Sequence, residues 1–198
     1  MSIGFVREKQ PVLFRWTTKQ YHRLIQSGVL TEDDPVELLE GFLVEKMPHN
    51  PPHDSTLSRL HRLLGESLPA AWILRNQSAV TLGNSEPEPD LTVAHGPDER
   101  YEVRHPGPKD ITLIVEISDT TLSVDRERKG RIYARAGIPT YWIVNVAAGS
   151  VEVYTNPLGG RKPHYQSRAD CGPGDHVTLT LGDSIVRLAV KEIVPRSK

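Results

Sequence analysis

Glu116 stands inside the stretch LIVEIS, residues 113–118, among four apolar residues, three of them β-branched. With Asp110-Ile111-Thr112 ahead of it, the run reads as a buried strand. An ionised carboxylate in an apolar layer is costly unless a partner or a cation meets it. Asp90 follows Pro89 and opens the apolar run LTVA, which reads as another strand, 26 residues before Glu116. Neighbouring strands joined by the polar loop 95–110 could set the two acids side by side. Two such carboxylates repel, and each raises the other's pKa unless a cation lies between them. Mg²⁺ or Mn²⁺ suits the pair, because a hard divalent ion takes oxygen ligands and keeps several waters.

A lysine joins them from a helix. In residues 121–136, Asp125, Lys129, Ile132, Tyr133 and Ala136 share one face. That apolar face should meet the sheet, and packing back on the preceding strand brings Lys129 near Glu116. Arg126, Arg131 and Arg135 fall elsewhere on the helix, as a solvated face. Taken singly, each residue has a plainer role. Glu116 and Lys129 could form a simple buried ion pair, Asp90 could be a turn residue after proline, and Asp125 could be a first-turn acid favoured by the helix dipole. Their combination favours a metal site.

The elements that must position them follow in order. Thr17 starts a helix with Tyr21, Leu24 and Ile25 at helical spacing and Gly28 as its stop. VELLEGFLVEKM reads as a hairpin around Glu40-Gly41. As strand residues three apart, Glu37 and Glu40 face opposite sides, so at most one serves the site. HNPPH reads as a rigid loop, with Asp54 or Ser55 capping a helix that carries Leu57, Leu60, Leu64 and Leu68. Residues 72–82 read as one or two strands. After ITLIVEIS and the helix ended by Gly137 come the strands TYWIVNV and SVEVYT. In the tail, NPLGGRK and CGPGD read as turns, and HVTLTL and SIVRLAV as antiparallel strands. This order implies an α/β (α+β) chain, with a sheet flanked by helices on both faces and no boundary that splits residues 1–198 into domains.

Composition narrows the class. The 198 residues are 37% hydrophobic and 25% charged with a formal net charge of −1, an ordinary globular balance without the basic excess of a general nucleic-acid binder. No apolar run suits a bilayer span or a signal core, so a cytoplasmic location is the default expectation. The single cysteine, Cys171, excludes an internal disulfide, and with no evident base it is a poor nucleophile. His49, His53 and His61 suggest zinc, but a loop reading of HNPPH and the lack of a fourth ligand argue against it. Neither G-x-S-x-G nor G-x-x-x-x-G-K occurs.

The ordered set Glu37-Leu38-Leu39-Glu40-Gly41, His53, Pro89-Asp90, Val115-Glu116-Ile117-Ser118, Asp125 to Lys129, Tyr133-Ala134 and Gly137 to Val144 resembles the Uma2 (DUF820) family of restriction-endonuclease-like proteins, in the PD-(D/E)XK nuclease superfamily. The resemblance spans about residues 17–155. It implies a mixed central sheet flanked by helices and a Mg²⁺- or Mn²⁺-dependent endonuclease. The metal would sit on Asp90, Glu116 and the carbonyl of Ile117, with Glu37 as an outer acid. The superfamily lysine would fall at position 118, where this chain has Ser118. The resemblance therefore implies that Lys129 has taken its place. His53, Ser118 and Asp125 are candidate cleft residues, and Arg126, Arg128 and Arg131 candidate phosphate contacts. The expected partner is nucleic acid, DNA first, and cutting both strands of a duplex suggests a homodimer. The alternative is a nucleic-acid-binding or interaction module that keeps the fold without turnover.

Overall fold

The computed structural model describes residues 12–194. Helix α1 (Thr18–Gln26) starts at a capping box, in which the Thr17 side chain and Gln20 satisfy each other's backbone amides. Strands β1 (Val36–Leu39) and β2 (Phe42–Glu45) form the expected hairpin. Its turn residues Glu40 and Gly41 both have positive φ, 52° and 84°, matching the right-handed twist of a tight hairpin. A Cβ at Gly41 would lie 2.8 Å from that of Arg15, so glycine is required there on two counts.

Helix α2 (Pro51–Ser67) begins earlier than the sequence suggests. HNPPH is not a loop, and neither Asp54 nor Ser55 is the cap. The Asn50 side chain accepts the His53 amide, and the two prolines occupy the first helical turn. Proline fits there because the first turn's amides lack helical partners in any case. Leu57, Leu60 and Leu64 lie on its buried side.

The six-stranded sheet has the order β3 (Trp72–Asn76), β4 (Leu91–His95), β5 (Ile111–Ser118), β6 (Thr140–Asn145), β7 (Ser150–Leu158) and β8 (His164–Cys171). Only β5 and β6 run parallel. Residues 72–82 supply one strand rather than two. Between Asn76 and Leu91 the chain makes isolated bridges, Leu82–Ser85 and Leu38–Glu86. β7 continues through Asn156-Pro157-Leu158, which the sequence suggests is a turn. β8, HYQSRADC, is a polar edge strand without the apolar alternation that marks β9 (His176–Leu181) and β10 (Ser184–Ala189). β9 and β10 pair antiparallel as expected, although the end of SIVRLAV turns into the short helix α5 (Val190–Ile193).

The segment 121–136 is helical but not uniform. It comprises α3 (Leu122–Val124), a π-helical turn Asp125–Lys129 and α4 (Gly130–Ala136), closed by Gly137 at φ 76°. The Tyr141 hydroxyl donates to the Asp125 carbonyl at 3.1 Å, and the Gly130 amide reaches the same carbonyl across the wide turn. Such turns recur at functional sites.

Two apolar layers enclose the sheet. α2, β9, β10 and α5 cover Leu91, Val93, Val115, Ile117, Trp142 and Val144. Ile132, Tyr133 and Leu39 pack with Ile114, Tyr141 and Ile143 on the other face. Among the described residues, no helix is long and apolar enough to cross a membrane.

Candidate active site

β4 and β5 are antiparallel neighbours with Leu91 opposite Val115, a register that continues to set Asp90 opposite Glu116. Strand alternation turns Glu116 to the same face as Ile114 and Ser118, away from the larger apolar layer. On that face it meets Lys129, whose Nζ lies 3.0 Å from Glu116 Oε1 and 3.6 Å from Glu37 Oε1. The Tyr133 hydroxyl donates to the same Oε1. Both donors therefore fall on one oxygen of Glu116 and leave Oε2 for a ligand.

Asp90 is equally constrained. Its Oδ2 accepts the Ile117 amide at 2.7 Å, and its two oxygens lie 3.1 and 3.2 Å from His53 Nε2. In an extended strand the amide and carbonyl of one residue face the same neighbour. The Ile117 carbonyl thus faces the same edge as Asp90. Glu37 accepts the Glu88 amide at 3.1 Å, and Asp125 accepts the Thr121 hydroxyl at 2.6 Å.

These groups line a cleft of about 290 Å³ between the hairpin, the start of α2 and the π turn. Its lining carries Glu37, Glu45, Glu88, Asp90, Glu116, Asp119 and Asp125 beside Lys46, Arg128 and Lys129, with Lys46 paired to Glu88 and Lys129 to Glu116 and Glu37. The acids outnumber the bases, an excess that a bound cation would offset. The same excess appears in the titration behaviour. Burial drives the Glu116 carboxyl well above its usual range, Lys129 opposes that, and Asp125, Asp90 and Glu37 add to it. Asp125 is raised by burial, partly offset by Lys129 and Thr121. Burial also disfavours a charged Asp90, but the His53 hydrogen bond and charge, the Ile117 amide and Lys129 outweigh it and lower its pKa. Lys129 is desolvated as well, yet Glu116, Glu37 and Asp125 hold its ammonium above the ordinary lysine range. Its ammonium lies within ion-pair distance of both Glu116 and Glu37. For His53, burial disfavours the charge, but Asp90 and then Asp54 win and raise its pKa.

Asp90, Glu116, Lys129, Glu37, Ile117, His53, Asp125 and Arg128 all come to this cleft. Ser118 lies buried beneath it, with no hydrogen-bond partner for its hydroxyl among the described residues. Arg126 and Arg131 are not on the cleft wall. Arg126 pairs with Glu152, and Arg131 and Arg135 clamp Glu40. The face is solvated, as the helix pattern suggests, with the three side chains 37–41% exposed, and the ion pairs are added to it. Asn50, whose amide donates to Asp119, was missed, as was the Tyr133 hydroxyl. Asn-Pro-Pro is a readable helix start. Tyr133 shows only as an apolar helix position until the strand beneath it is known.

A family model described as "Uma2: Putative restriction endonuclease" matches residues 18–190. The chain belongs to the Uma2 family. The match runs past residue 155 and takes in β7 to β10. Among solved structures, a "putative nuclease belonging to DUF820" from Anabaena variabilis superposes with a TM-score of 0.65 at 16% identity, over 89% of this chain and 96% of that one. At that identity the likeness establishes the fold, a mixed central sheet flanked by helices. A comparison with curated proteins finds no match.

Proposed function

We propose that this Uma2 chain is a divalent-metal-dependent nuclease that hydrolyses phosphodiester bonds of nucleic acid, DNA first, at the Asp90–Glu116 cleft. One observation carries the reading. Asp90, at the entry to β4, and Glu116, on the neighbouring β5, line one pocket in which acids outnumber bases, with Asp90 held by the Ile117 amide and His53 and Glu116 held on one oxygen by Lys129 and Tyr133. The donor set fits Mg²⁺ or Mn²⁺: carboxylate oxygens from Asp90 and Glu116, the Ile117 carbonyl at the same strand edge, and open volume for waters. When bound, such an ion polarises the phosphate and makes its water more acidic.

The chain's own residues do the rest. Lys129, held as an ammonium, offsets negative charge gathering on the phosphate oxygens. Glu37, anchored through the Glu88 amide, accepts a hydrogen bond from water on the outer side of the site. Arg128 contacts a neighbouring phosphate. Ser118 contributes no charge, so Lys129 carries the role that the superfamily pattern gives to position 118. Paired cuts in a duplex call for two copies of the site, and thus a homodimer.

The test is incubation of the chain with plasmid and single-stranded DNA under Mg²⁺ or Mn²⁺, beside Glu116→Gln, Asp90→Asn and Lys129→Ala. Metal-dependent cleavage that all three changes abolish supports the assignment. Cleavage that survives them removes it. Binding that survives EDTA, without cleavage under either metal, favours a non-catalytic binding module.

A further inference from the structure

The start of α2 and the residue before its cap bring together three side chains that the acidic cleft does not require as a group. His49 Nδ1 and His53 Nδ1 lie 3.6 and 3.3 Å from one oxygen of Asp54, and these ligand atoms all fall within 4.8 Å of one another. We propose a second metal site here, for a borderline first-row cation such as Zn²⁺ or Co²⁺, held by His49, His53 and Asp54 with the remaining positions open to water. Tetrahedral ligands at about 2.0–2.2 Å stand roughly 3.4 Å apart, which is the spacing of these contacts.

One further observation points the same way. Metal-bound histidines characteristically donate their other ring N–H to a carboxylate, which fixes the ligating tautomer. His53 already makes that contact, with Nε2 on Asp90 and Nδ1 toward Asp54. At His49, the Gln77 side-chain amide donates to Nδ1 at 3.1 Å, so a cation bound there displaces that donor. The two imidazoles stack at 4.0 Å with nearly parallel planes, so the exposed His49 ring must rotate out of the stack to share a cation with His53. Local folding explains the cluster. The Asn50 cap and the prolines at 51 and 52 wind the chain into helix at once, turning His49 back over His53.

The chemistry separates this site from its neighbour. Imidazole nitrogens favour borderline transition ions, whereas the Asp90–Glu116 pair offers only oxygen. The site does not depend on the nuclease reading, yet it adjoins that cleft through the shared His53–Asp90 contact.

Co²⁺ titration of the full chain, read by visible absorption, tests it. Glu116→Gln, which disables the oxygen site, is compared with Glu116→Gln combined with His49→Ala and with Glu116→Gln combined with Asp54→Asn. His49 and Asp54 are exposed, and replacing them leaves the core intact. The expected result is one equivalent of Co²⁺ with a nitrogen-ligated band in Glu116→Gln, and affinity at least about tenfold weaker in both double variants. Absence of that band in Glu116→Gln, or equal affinity in the double variants, overturns the proposal.

Discussion

The Tyr133 hydroxyl donates to Oε1 of Glu116, the same oxygen that Lys129 approaches at 3.0 Å. One side of the carboxylate is thus pinned by two donors from the helix, and the other is directed into the cleft. Tyr133 is a positioning residue in this account. Tyr133→Phe keeps the ring packing and removes one donor from a buried acid, which costs about 1–3 kcal/mol of stability. It also weakens Mn²⁺ binding by about tenfold or more, as loss of an outer-shell partner does. Urea unfolding and calorimetry measure the two effects separately. Unchanged metal affinity in Tyr133→Phe would refute the positioning role.

Lys129 compensates both Glu116 and Glu37. Lys129→Met fills similar space and leaves those buried acids without their cation. Removing one partner of a buried pair costs about 3–5 kcal/mol. Because a bound cation replaces part of the lost charge, Mn²⁺ should raise the variant's melting temperature more than that of the wild type. Thermal unfolding with and without Mn²⁺ checks this, and an equal shift in the two proteins contradicts it.

Glu40 ties the hairpin to α4. The Arg131 hydrogen bonds lead, ahead of opposing desolvation and the contribution of Arg135, and its carboxyl is lowered from 4.5 to about 2. A folded-state pKa below the unfolded one means stability that is present above about 4.5 and lost as pH falls toward about 2. Both arginines are partly exposed, so Glu40→Gln is expected to cost only about 1–2 kcal/mol at neutral pH. The gap between variant and wild type should close on acidification through that window. Urea midpoints taken across it provide the check, and a gap that stays constant would remove Glu40 as its source.

Asn50 caps α2 and donates to Asp119 across the cleft. Asn50→Ala should lower stability by about 1 kcal/mol. Asn50→Asp should keep the cap and lose the second contact, because a carboxylate cannot donate to Asp119. Chemical denaturation of both variants separates the roles. Equal stability of Asn50→Ala and wild type would show that the prolines alone suffice to start the helix.

The candidate site was legible where periodicity carried it. Strand alternation around Glu116 and the shared helical face of Asp125, Lys129 and Tyr133 are properties of short windows, and they hold in the structure. The π turn shifts the backbone by one hydrogen bond but keeps Asp125 and Lys129 on the inner side. Partnerships across the fold were not legible. Glu40 meets Arg131 and Arg135, and Arg126 meets Glu152, over separations that no local pattern encodes. HNPPH misled because paired prolines suggest a loop, although proline is at home in a first helical turn. β8 escaped notice because an edge strand exposed at all but Tyr165 and Cys171 carries no apolar alternation.

The central claim is that Asp90 and Glu116 form one metal site. Calorimetric titration of the chain with Mn²⁺, beside Asp90→Asn, Glu116→Gln and His49→Ala, tests it most directly. The account predicts binding in the wild type that Asp90→Asn and Glu116→Gln each abolish and that His49→Ala retains. Binding that persists in either acid variant with the wild-type affinity, or a wild type that binds no Mn²⁺ even with an oligonucleotide present, would contradict it.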